Sequence, residues 1–212
     1  MARKDIEELA ASAVWPAGAA LSQQEFCAHV RSEGTRLYRD LPWRGIDDAY
    51  GVLVSEVMLQ QTQVKRVLGR WEHFMGMFPT PDALAAAAPA DVLAEWQGLG
   101  YNRRAWALRG AAEECSQHHA GALPVGVDAL QQLPGIGPAT AAGVTAFARN
   151  QRAVYIETNV RTVFLHLLFP DEDAVPDKQL EPLVAACCPP AGEVRAWYYA
   201  LLDVGAHLKS QV

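Results

Sequence analysis

The chain has 212 residues, half of them hydrophobic, and a formal net charge of −6, so it can bury one large core or two modest ones. No run approaches the roughly 20 apolar residues of a membrane span, and no signal-type apolar stretch follows the first residues, so we expect a cytoplasmic protein. Its four cysteines are too few and too irregularly spaced for a disulfide framework.

Apolar residues recur at three- and four-residue spacing almost throughout, which predicts an all-helical protein. Ser22 is expected to cap a helix that ends near Leu37. Asp47 or Asp48 caps the next one, which extends to about Leu59. The further predicted helices begin near residue 62 and cover about 82–88, 91–96, 103–118, a short segment before 133, 139–148, 160–169, 177–186 and 193–208.

The first and last parts of the chain are expected to form one lobe, residues 1–45 with 153–212, beside a second lobe of residues 46–152. The segment 41–161 carries ten Lys or Arg against eleven Asp or Glu, so most of the excess acid lies in the flanks. This distribution is compatible with a local basic face that binds nucleic acid. Its candidates, each otherwise a solvated surface charge, are Lys65, Arg66, Arg70, Arg103, Arg104, Arg149, Arg152 and Arg161.

Residues 133–138 read Leu-Pro-Gly-Ile-Gly-Pro and predict a tight turn between two helices. Gly135 and Gly137 lack a Cβ, so both can take positive φ and bring backbone N–H groups close to an anion such as a DNA phosphate. Pro138 suits the first position of the next helix, whose positive end adds to the same site. The alternative is an ordinary helix-ending turn.

Two carboxylates are candidates for chemistry. Glu56 lies on a helix that is apolar on almost every face, where desolvation raises a pKa and suits the group to donate a proton. Glu157 ends a short apolar run before a helix whose cap is expected at Thr158 or Asn159. Such a pair can cleave a glycosidic bond, one acid protonating the leaving base and the other stabilising the cationic sugar or activating water. The alternative for Glu56 is a core Glu that pairs with an Arg or caps a neighbouring helix. The alternative for Glu157 is an acid placed favourably at a helix N-terminus.

Four segments occur in the order typical of one enzyme family: Leu41-Pro42-Trp43, Ser55-Glu56-Val57-Met58-Leu59-Gln60-Gln61-Thr62-Gln63-Val64, Gly98-Leu99-Gly100-Tyr101 and Leu133-Pro134-Gly135-Ile136-Gly137. Over about residues 38–208 the chain resembles the MutY adenine DNA glycosylases of the helix-hairpin-helix superfamily, which includes endonuclease III. The resemblance implies an all-α, two-lobe fold with DNA and a flipped base bound at the cleft between the lobes.

The resemblance also implies DNA contacts. A Gln at the position of Gln60 or Gln61 fills the gap left by the flipped base, and Tyr101 matches a tyrosine that inserts beside the mispaired purine. The residues expected at the DNA are Gln60, Gln61, Thr62, Tyr101, Gly135, Ile136, Gly137, Ala139 and Thr140. The expected partner is duplex DNA with a mismatched or damaged base, bound by a monomer, with an abasic-site endonuclease acting downstream and a nucleoid location if the source is bacterial.

The catalytic residues implied are Glu56, which matches the acid that protonates adenine, and Glu157 with Asn159, which stand where the family has Asp-Gly-Asn. The extra methylene of Glu157 adds roughly 1.5 Å of reach, so the carboxylate keeps its role with altered geometry or the pocket accepts a different base. Ala139 stands where bifunctional relatives carry a Schiff-base lysine. This predicts a monofunctional glycosylase without efficient strand cleavage.

Typical relatives end this domain with four cysteines that hold an iron–sulfur cluster, whereas residues 205–209 read Gly-Ala-His-Leu-Lys. We therefore expect no cluster, no other metal and no other cofactor. The chain ends at Val212 without the domain that reads oxoguanine opposite adenine, so it is expected to be truncated or to discriminate oxoguanine weakly or in a different way.

The function favoured by the sequence is base excision repair by hydrolysis of the N-glycosidic bond of a mispaired adenine, opposite guanine or oxoguanine. The enzymatic alternative is a glycosylase for another mispaired or deaminated base, such as uracil, thymine or hypoxanthine. A further alternative is a catalytically inactive helix-hairpin-helix protein that only binds DNA.

Overall fold

A computed structural model describes residues 5–172 and 174–211, and the regular structure within them is helical, as the sequence predicts. The helices of this part of the chain are α1 Ile6–Ala11, α2 Gln23–Arg36, α3 Ala49–Leu59, α4 Val64–Val67, α5 Arg70–Met77, α6 Pro81–Ala86, α7 Pro89–Glu95, α8 Arg103–His118, α9 Val127–Leu130, α10 Pro138–Phe147, α11 Thr158–Leu168, α12 Asp177–Cys187 and α13 Val194–Ser210. None of them combines the length and the apolarity that crossing a membrane requires.

The described residues form two compact units. One contains the residues up to Arg39 and from Asn150 onward, so α1 and α2 share a unit with α11, α12 and α13. The other is Asp40–Arg149 and contains α3 to α10. Both divisions fall slightly earlier in the chain than the boundaries expected after residues 45 and 152.

Helix α3 is the buried centre of the Asp40–Arg149 unit. The Asp48 carboxylate caps it by accepting hydrogen bonds from the amides of Tyr50 and Gly51, at 3.0 and 3.1 Å. Helix α10, whose residues 140–147 are all buried, packs against α3. Because both helices bury nearly their whole surface, the hydrophobic effect stabilises this pair strongly.

Helix α13 organises the other unit by packing against both α2 and α11. Gly34 of α2 lies directly against Ala200 of α13, and Gly205 of α13 lies against the backbone of Asn159. At both glycines a Cβ would overlap these neighbours. Such close packing leaves little freedom in a protein interior, so α13 fixes the start of α11.

The predicted helices differ most from the structure in three places. The helix expected from Thr62 is two helices, α4 and α5, because Gly69 has a φ of 76° and interrupts it. Helix α11 begins at Thr158, earlier than expected, because Glu157 is its cap. Helix α1 was not predicted from the sequence.

Candidate functional site

Glu56 occupies the one position between Tyr50 and Met58 of α3 that is not buried. Its chain neighbours Ser55 and Val57 are 2 % and 3 % exposed. A carboxyl group with this intermediate exposure is partly desolvated and can still be reached by a substrate. The raised pKa expected for Glu56 stays a prediction.

The glutamine turn, residues 60–62, follows α3. Gln61 is exposed and has a φ of 53°, in the left-handed region. The Nε2 of Gln60 donates a hydrogen bond to the hydroxyl of Thr140, at 3.1 Å. Both glutamines are exposed, but the side chain of Gln60 is bound to the first turn of α10.

The tyrosine turn, residues 98–101, connects α7 to α8. Tyr101 is 55 % exposed and, like Gln61, has a positive φ, of 48°. A left-handed conformation costs a non-glycine residue roughly 1–2 kcal/mol. Both turns therefore need support from the residues around them.

Arg104 gives that support to both turns. Its side chain runs from the start of α8 into the unit, and the residue is only 6 % exposed. Nη1 donates to the carbonyl oxygens of Val57, Met58 and Gln60, at 2.8, 3.0 and 2.6 Å, and Nη2 to the hydroxyl of Thr62 and the carbonyls of Leu99 and Gly100, at 3.0, 2.9 and 3.1 Å. The interpretation of Arg104 as a solvated surface charge is wrong, because its guanidinium finds acceptors inside the unit.

Three other residues of the predicted basic face also form hydrogen bonds or ion pairs with residues of the same chain. Arg149 donates to the carbonyls of Leu123 and Pro124, Arg152 pairs with Glu7, and Arg161 pairs with Asp177. The members that remain exposed are Lys65, Arg66, Arg70 and Arg103. An exposed basic face therefore contains fewer of the eight candidate residues than the sequence suggested.

The glycine turn, residues 133–138, joins α9 to α10. Gly135 has a φ of 71°, and a Cβ there would overlap the Cβ of Ala107, so both conformation and space require glycine. The positive φ expected for Gly137 is wrong: its φ is −83°, because it is the extended N-cap of α10. Ile136 is buried, and its amide donates to the carbonyl of Leu133 at 3.2 Å, so that N–H stabilises the turn itself.

The start of α10 can bind an anion. Pro138 is its first residue, as predicted, and among the described residues no side chain caps this helix. The N–H groups of Ala139 and Thr140 belong to the first turn, whose donors have no carbonyl partner within a helix. Since the positive end of the helix dipole points the same way, a phosphate would be favoured here.

Glu157 is the cap of α11, in place of the expected Thr158 or Asn159. Its Oε1 accepts from the amides of Asn159 and Val160, at 2.6 and 2.9 Å, and its Oε2 accepts from the Nδ2 of Asn159, at 3.1 Å. Burial raises the pKa of Glu157 above its usual value, although those hydrogen bonds and the positive charge of Lys209 oppose the rise. The result is a half-buried carboxylate in a fixed orientation.

The cysteines do not fit an iron–sulfur cluster. Cys115 belongs to the Asp40–Arg149 unit, and Cys27, Cys187 and Cys188 belong to the other. Cys115, Cys187 and Cys188 are buried, and burial raises the pKa of the Cys115 thiol to about 11 and also raises the pKa of Cys188. Within residues 5–172 and 174–211, no group of three or more His, Cys, Asp or Glu side chains is placed to hold a metal.

Residues 205–209, where the resemblance places the start of the cluster segment, are part of helix α13. The sequence already has no cysteine in this stretch, and the helical conformation continues through it to Ser210. The expectation that the protein works without a metal or cofactor stays a prediction.

Known proteins similar to this chain include adenine DNA glycosylases. The enzyme of that name from Mycolicibacterium smegmatis is 41 % identical over 170 residues, which are 79 % of this chain and 58 % of the relative. The one from Homo sapiens is 39 % identical over 134 residues, 59 % of this chain and 24 % of the relative. The chain thus spans less than two thirds of the length of these relatives.

Solved structures share the fold. A thermostable thymine-DNA glycosylase superposes with a TM-score of 0.76 at 23 % identity, over 87 % of this chain and 86 % of that one. A non-covalent complex of endonuclease III with DNA gives 0.71 at 18 % identity, over 86 % and 85 %. The helix-hairpin-helix glycosylase fold expected from the sequence is therefore confirmed.

A family model described as HhH-GPD superfamily base excision DNA repair protein matches residues 54–190. This range contains Glu56, the glutamine and tyrosine turns, the glycine turn and Glu157. Because the match covers more than half of the 212 residues, the chain belongs to the HhH-GPD superfamily of base excision DNA repair proteins.

Proposed function

We propose that this chain is a monofunctional DNA glycosylase that hydrolyses the N-glycosidic bond of a mispaired adenine flipped out of duplex DNA. The observation that carries the proposal is the placement of Glu56, a partly exposed carboxyl group on an otherwise buried stretch of α3. The relatives from Mycolicibacterium smegmatis and Homo sapiens are both named adenine DNA glycosylase, which supports adenine as the base.

Glu56 is the general acid. Its proton passes to the leaving adenine as the bond between base and C1′ breaks, and the electron pair of that bond leaves with the base. The deoxyribose is left as an oxocarbenium-like cation, to which water adds at C1′. The proton that this water loses passes to Glu157 or to solvent, and solvent protonates Glu56 again. Free adenine and an abasic site are the products, as expected for hydrolysis that uses two carboxyl groups.

Glu157 is the anion that stabilises the cationic sugar or activates the water. Three hydrogen bonds orient it, and two of them come from the backbone amides of α11. A preorganised charge needs no reorganisation when the transition state forms, which is why such groups contribute strongly to catalysis. Asn159 acts by holding Oε2 of Glu157.

The DNA is bound by the three turns. Gln61 fills the gap in the duplex, since the side chain of Gln60 is bound to Thr140. Tyr101 inserts beside the partner base, since its side chain is exposed. The N–H groups at the start of α10, from Ala139 and Thr140, bind a backbone phosphate. The chain acts as a monomer on double-stranded DNA, and its abasic product is the substrate of an abasic-site endonuclease.

Strand cleavage is not expected, because the methyl group of Ala139 cannot form a Schiff base with the opened sugar. The second candidate function is release of another mispaired or deaminated base. The longer side chain of Glu157, compared with the Asp of the MutY family, favours it, because the added methylene changes where the carboxylate is placed relative to the substrate.

Base release in single turnover tests these functions. Duplexes with A·G, A·oxoguanine, U·G, T·G and hypoxanthine·T pairs are incubated with excess protein and cleaved at abasic sites by alkali. We expect adenine release that falls by about 100-fold or more in Glu56→Gln, since general acids contribute roughly 10²–10⁴ in rate. Strand breaks before alkali would contradict the monofunctional assignment.

Each outcome has a distinct meaning. Release of only uracil, thymine or hypoxanthine would replace adenine by that base. If no base is released from any duplex and Glu56→Gln binds DNA as tightly as the wild type, the chain is a DNA-binding protein without glycosylase activity.

A further inference from the structure

Arg104 links the two turns that carry the exposed DNA-binding side chains. We propose that it is a positioning residue, whose guanidinium holds the glutamine turn and the tyrosine turn in the arrangement that presents Gln61 and Tyr101 to the duplex. This inference rests on the proposed function, because it gives those two side chains their role in extruding the base.

The hydrogen bonds of Arg104 reach the peptide planes that matter. The carbonyl of Gln60 belongs to the peptide that ends at the nitrogen of Gln61, and the carbonyl of Gly100 to the peptide that ends at the nitrogen of Tyr101. The φ of a residue is measured relative to the peptide plane that precedes it. A hydrogen bond that orients this plane therefore constrains the φ of the residue that follows. Arg104 bonds both oxygens, at 2.6 and 3.1 Å, and both following residues have positive φ.

Helix α3 contributes acceptors to the same guanidinium. Val57 and Met58 lie in the last turn of α3, where carbonyl groups have no partner within the helix. A cation at this end also interacts favourably with the negative end of the helix dipole. Arg104 therefore ties the glutamine turn to the helix that carries Glu56.

Aromatic contacts complete the arrangement around Arg104. Its Cζ lies 5.6 Å from the ring centroid of Tyr101 and 5.6 Å from that of Trp96, within the range of cation–π attraction. The Nε1 of Trp96 donates to the carbonyl of Gly100 at 3.1 Å, so this oxygen has two donors. Both the backbone and the ring of Tyr101 thus depend on Arg104.

Arg109 provides a matched control on the same helix. It also donates to carbonyl oxygens, those of Ala85 and Ala87 at 3.1 and 3.4 Å, and it pairs with Glu113. These acceptors lie at the end of α6 and in the residue after it, and none of them belongs to the glutamine, tyrosine or glycine turn. Replacing Arg109 removes a comparable internal arginine without touching the turns.

The first experiment follows base extrusion without chemistry. In the Glu56→Gln background, 2-aminopurine in a mismatched duplex takes the place of the target adenine, and its fluorescence rises when it leaves the stack. We expect Arg104→Lys to reduce this rise about tenfold, because a single ammonium cannot serve acceptors in two turns. Arg109→Lys should leave both the rise and the Kd for undamaged duplex unchanged.

The second experiment separates positioning from general damage to the fold. Adenine opposite an abasic-site analogue has no pairing partner and is easier to extrude. With Glu56 intact, Arg104→Lys should slow release at least tenfold from an A·G duplex and less than threefold from this duplex. Equal slowing on both, or similar losses in Arg109→Lys, would overturn the proposal.

Failure of the inference is distinguishable from failure of the proposed function. If the Glu56→Gln protein shows the fluorescence rise but the wild type releases no base, the role of Arg104 is retained and the glycosylase assignment is lost. If the Glu56→Gln protein binds duplex without any rise, the inference is overturned. Should Arg104→Lys fail to fold, Thr62→Val removes one acceptor of Nη2 and should reduce the rise two- to threefold. An unchanged rise in Thr62→Val would contradict the proposal.

Discussion

Glu56 and Glu157 are the same residue type in opposite settings. Glu56 lies in α3, where the other residues from Tyr50 to Met58 are buried and mostly apolar, so its carboxyl group is partly removed from water. Glu157 precedes its helix, and its oxygens accept two backbone N–H groups and one side-chain amide. The comparison teaches that position relative to a helix separates an acid that gives up a proton from an anion held in place.

The sharpest way to test this comparison is to neutralise the charge of Glu157 while keeping its role as the cap of α11. In Glu157→Gln the amide oxygen can keep the hydrogen bonds from Asn159 and Val160, so the fold should be retained while the charge is lost. We expect the single-turnover rate of base release to fall about 100-fold, as when a preorganised electrostatic group is removed. The melting temperature serves as the control for folding.

Glu157→Asp is the partner of that variant, because aspartate is a preferred helix cap and keeps the charge. It should retain most of the rate of base release. If Glu157→Gln and Glu157→Asp lose activity equally, the length of the side chain matters and its charge does not, which would contradict the role given to Glu157.

The pH profile tests the same comparison with the wild-type chain. The raised pKa of Glu157 means that its ionised form is lost at a higher pH than for a carboxyl group at the usual 4.5. Because the ionised form is the active one, the rate should fall tenfold per pH unit below that raised pKa. Single-turnover rates between pH 4 and 8 measure this, with DNA binding followed in parallel. A rate constant independent of pH down to 4.5 would contradict it.

Gly205→Ala should disturb Glu157 through Asn159, although residues 157 and 205 are far apart in the sequence. A Cβ at Gly205 would overlap the backbone of Asn159, and overpacking of this kind costs roughly 1–3 kcal/mol. We expect the free energy of unfolding to fall by about that amount and the rate of base release to fall about tenfold, because Asn159 holds Glu157. Denaturant titration and single-turnover kinetics measure the two effects.

Gly76→Ala is the matched control for Gly205→Ala. Gly76 also lies in a helix, α5, but a Cβ there meets no atom of the described residues within 4 Å. Removing a glycine from an exposed helix should stabilise the protein by roughly 0.5–1 kcal/mol. Equal effects of the two substitutions would mean that the close approach of Gly205 to Asn159 is unimportant.

The sequence could predict those features of the site that depend on residues close together in the chain. Asp48 as a cap, Pro138 at the first position of α10 and the sharp turn at Gly135 follow from residue types within a few positions of each other. Glu157 as a cap was missed, because short polar residues such as Thr158 and Asn159 usually take that position. Its longer side chain folds back to the same amides.

Arg104 could not be interpreted correctly from the sequence for a different reason. Its acceptors in α3 and the glutamine turn lie 42 to 47 positions earlier in the chain, and only tertiary structure brings them to its guanidinium. Nothing in the local spacing distinguishes Arg104 from Arg103, which is exposed. Contacts between distant segments therefore decided which of two adjacent arginines became structural.

The smallest expected effect comes from placing a carboxylate at the start of a second helix. Ala139 is exposed in the first turn of α10. In Ala139→Asp the helix dipole should stabilise the fold by about 0.3–1 kcal/mol, while the negative charge repels the phosphate and weakens duplex binding three- to tenfold. Ala139→Asn, similar in shape but neutral, should bind nearly as well as the wild type. Opposite changes in melting temperature and affinity would show that the start of α10 binds DNA, since a general loss of structure lowers both.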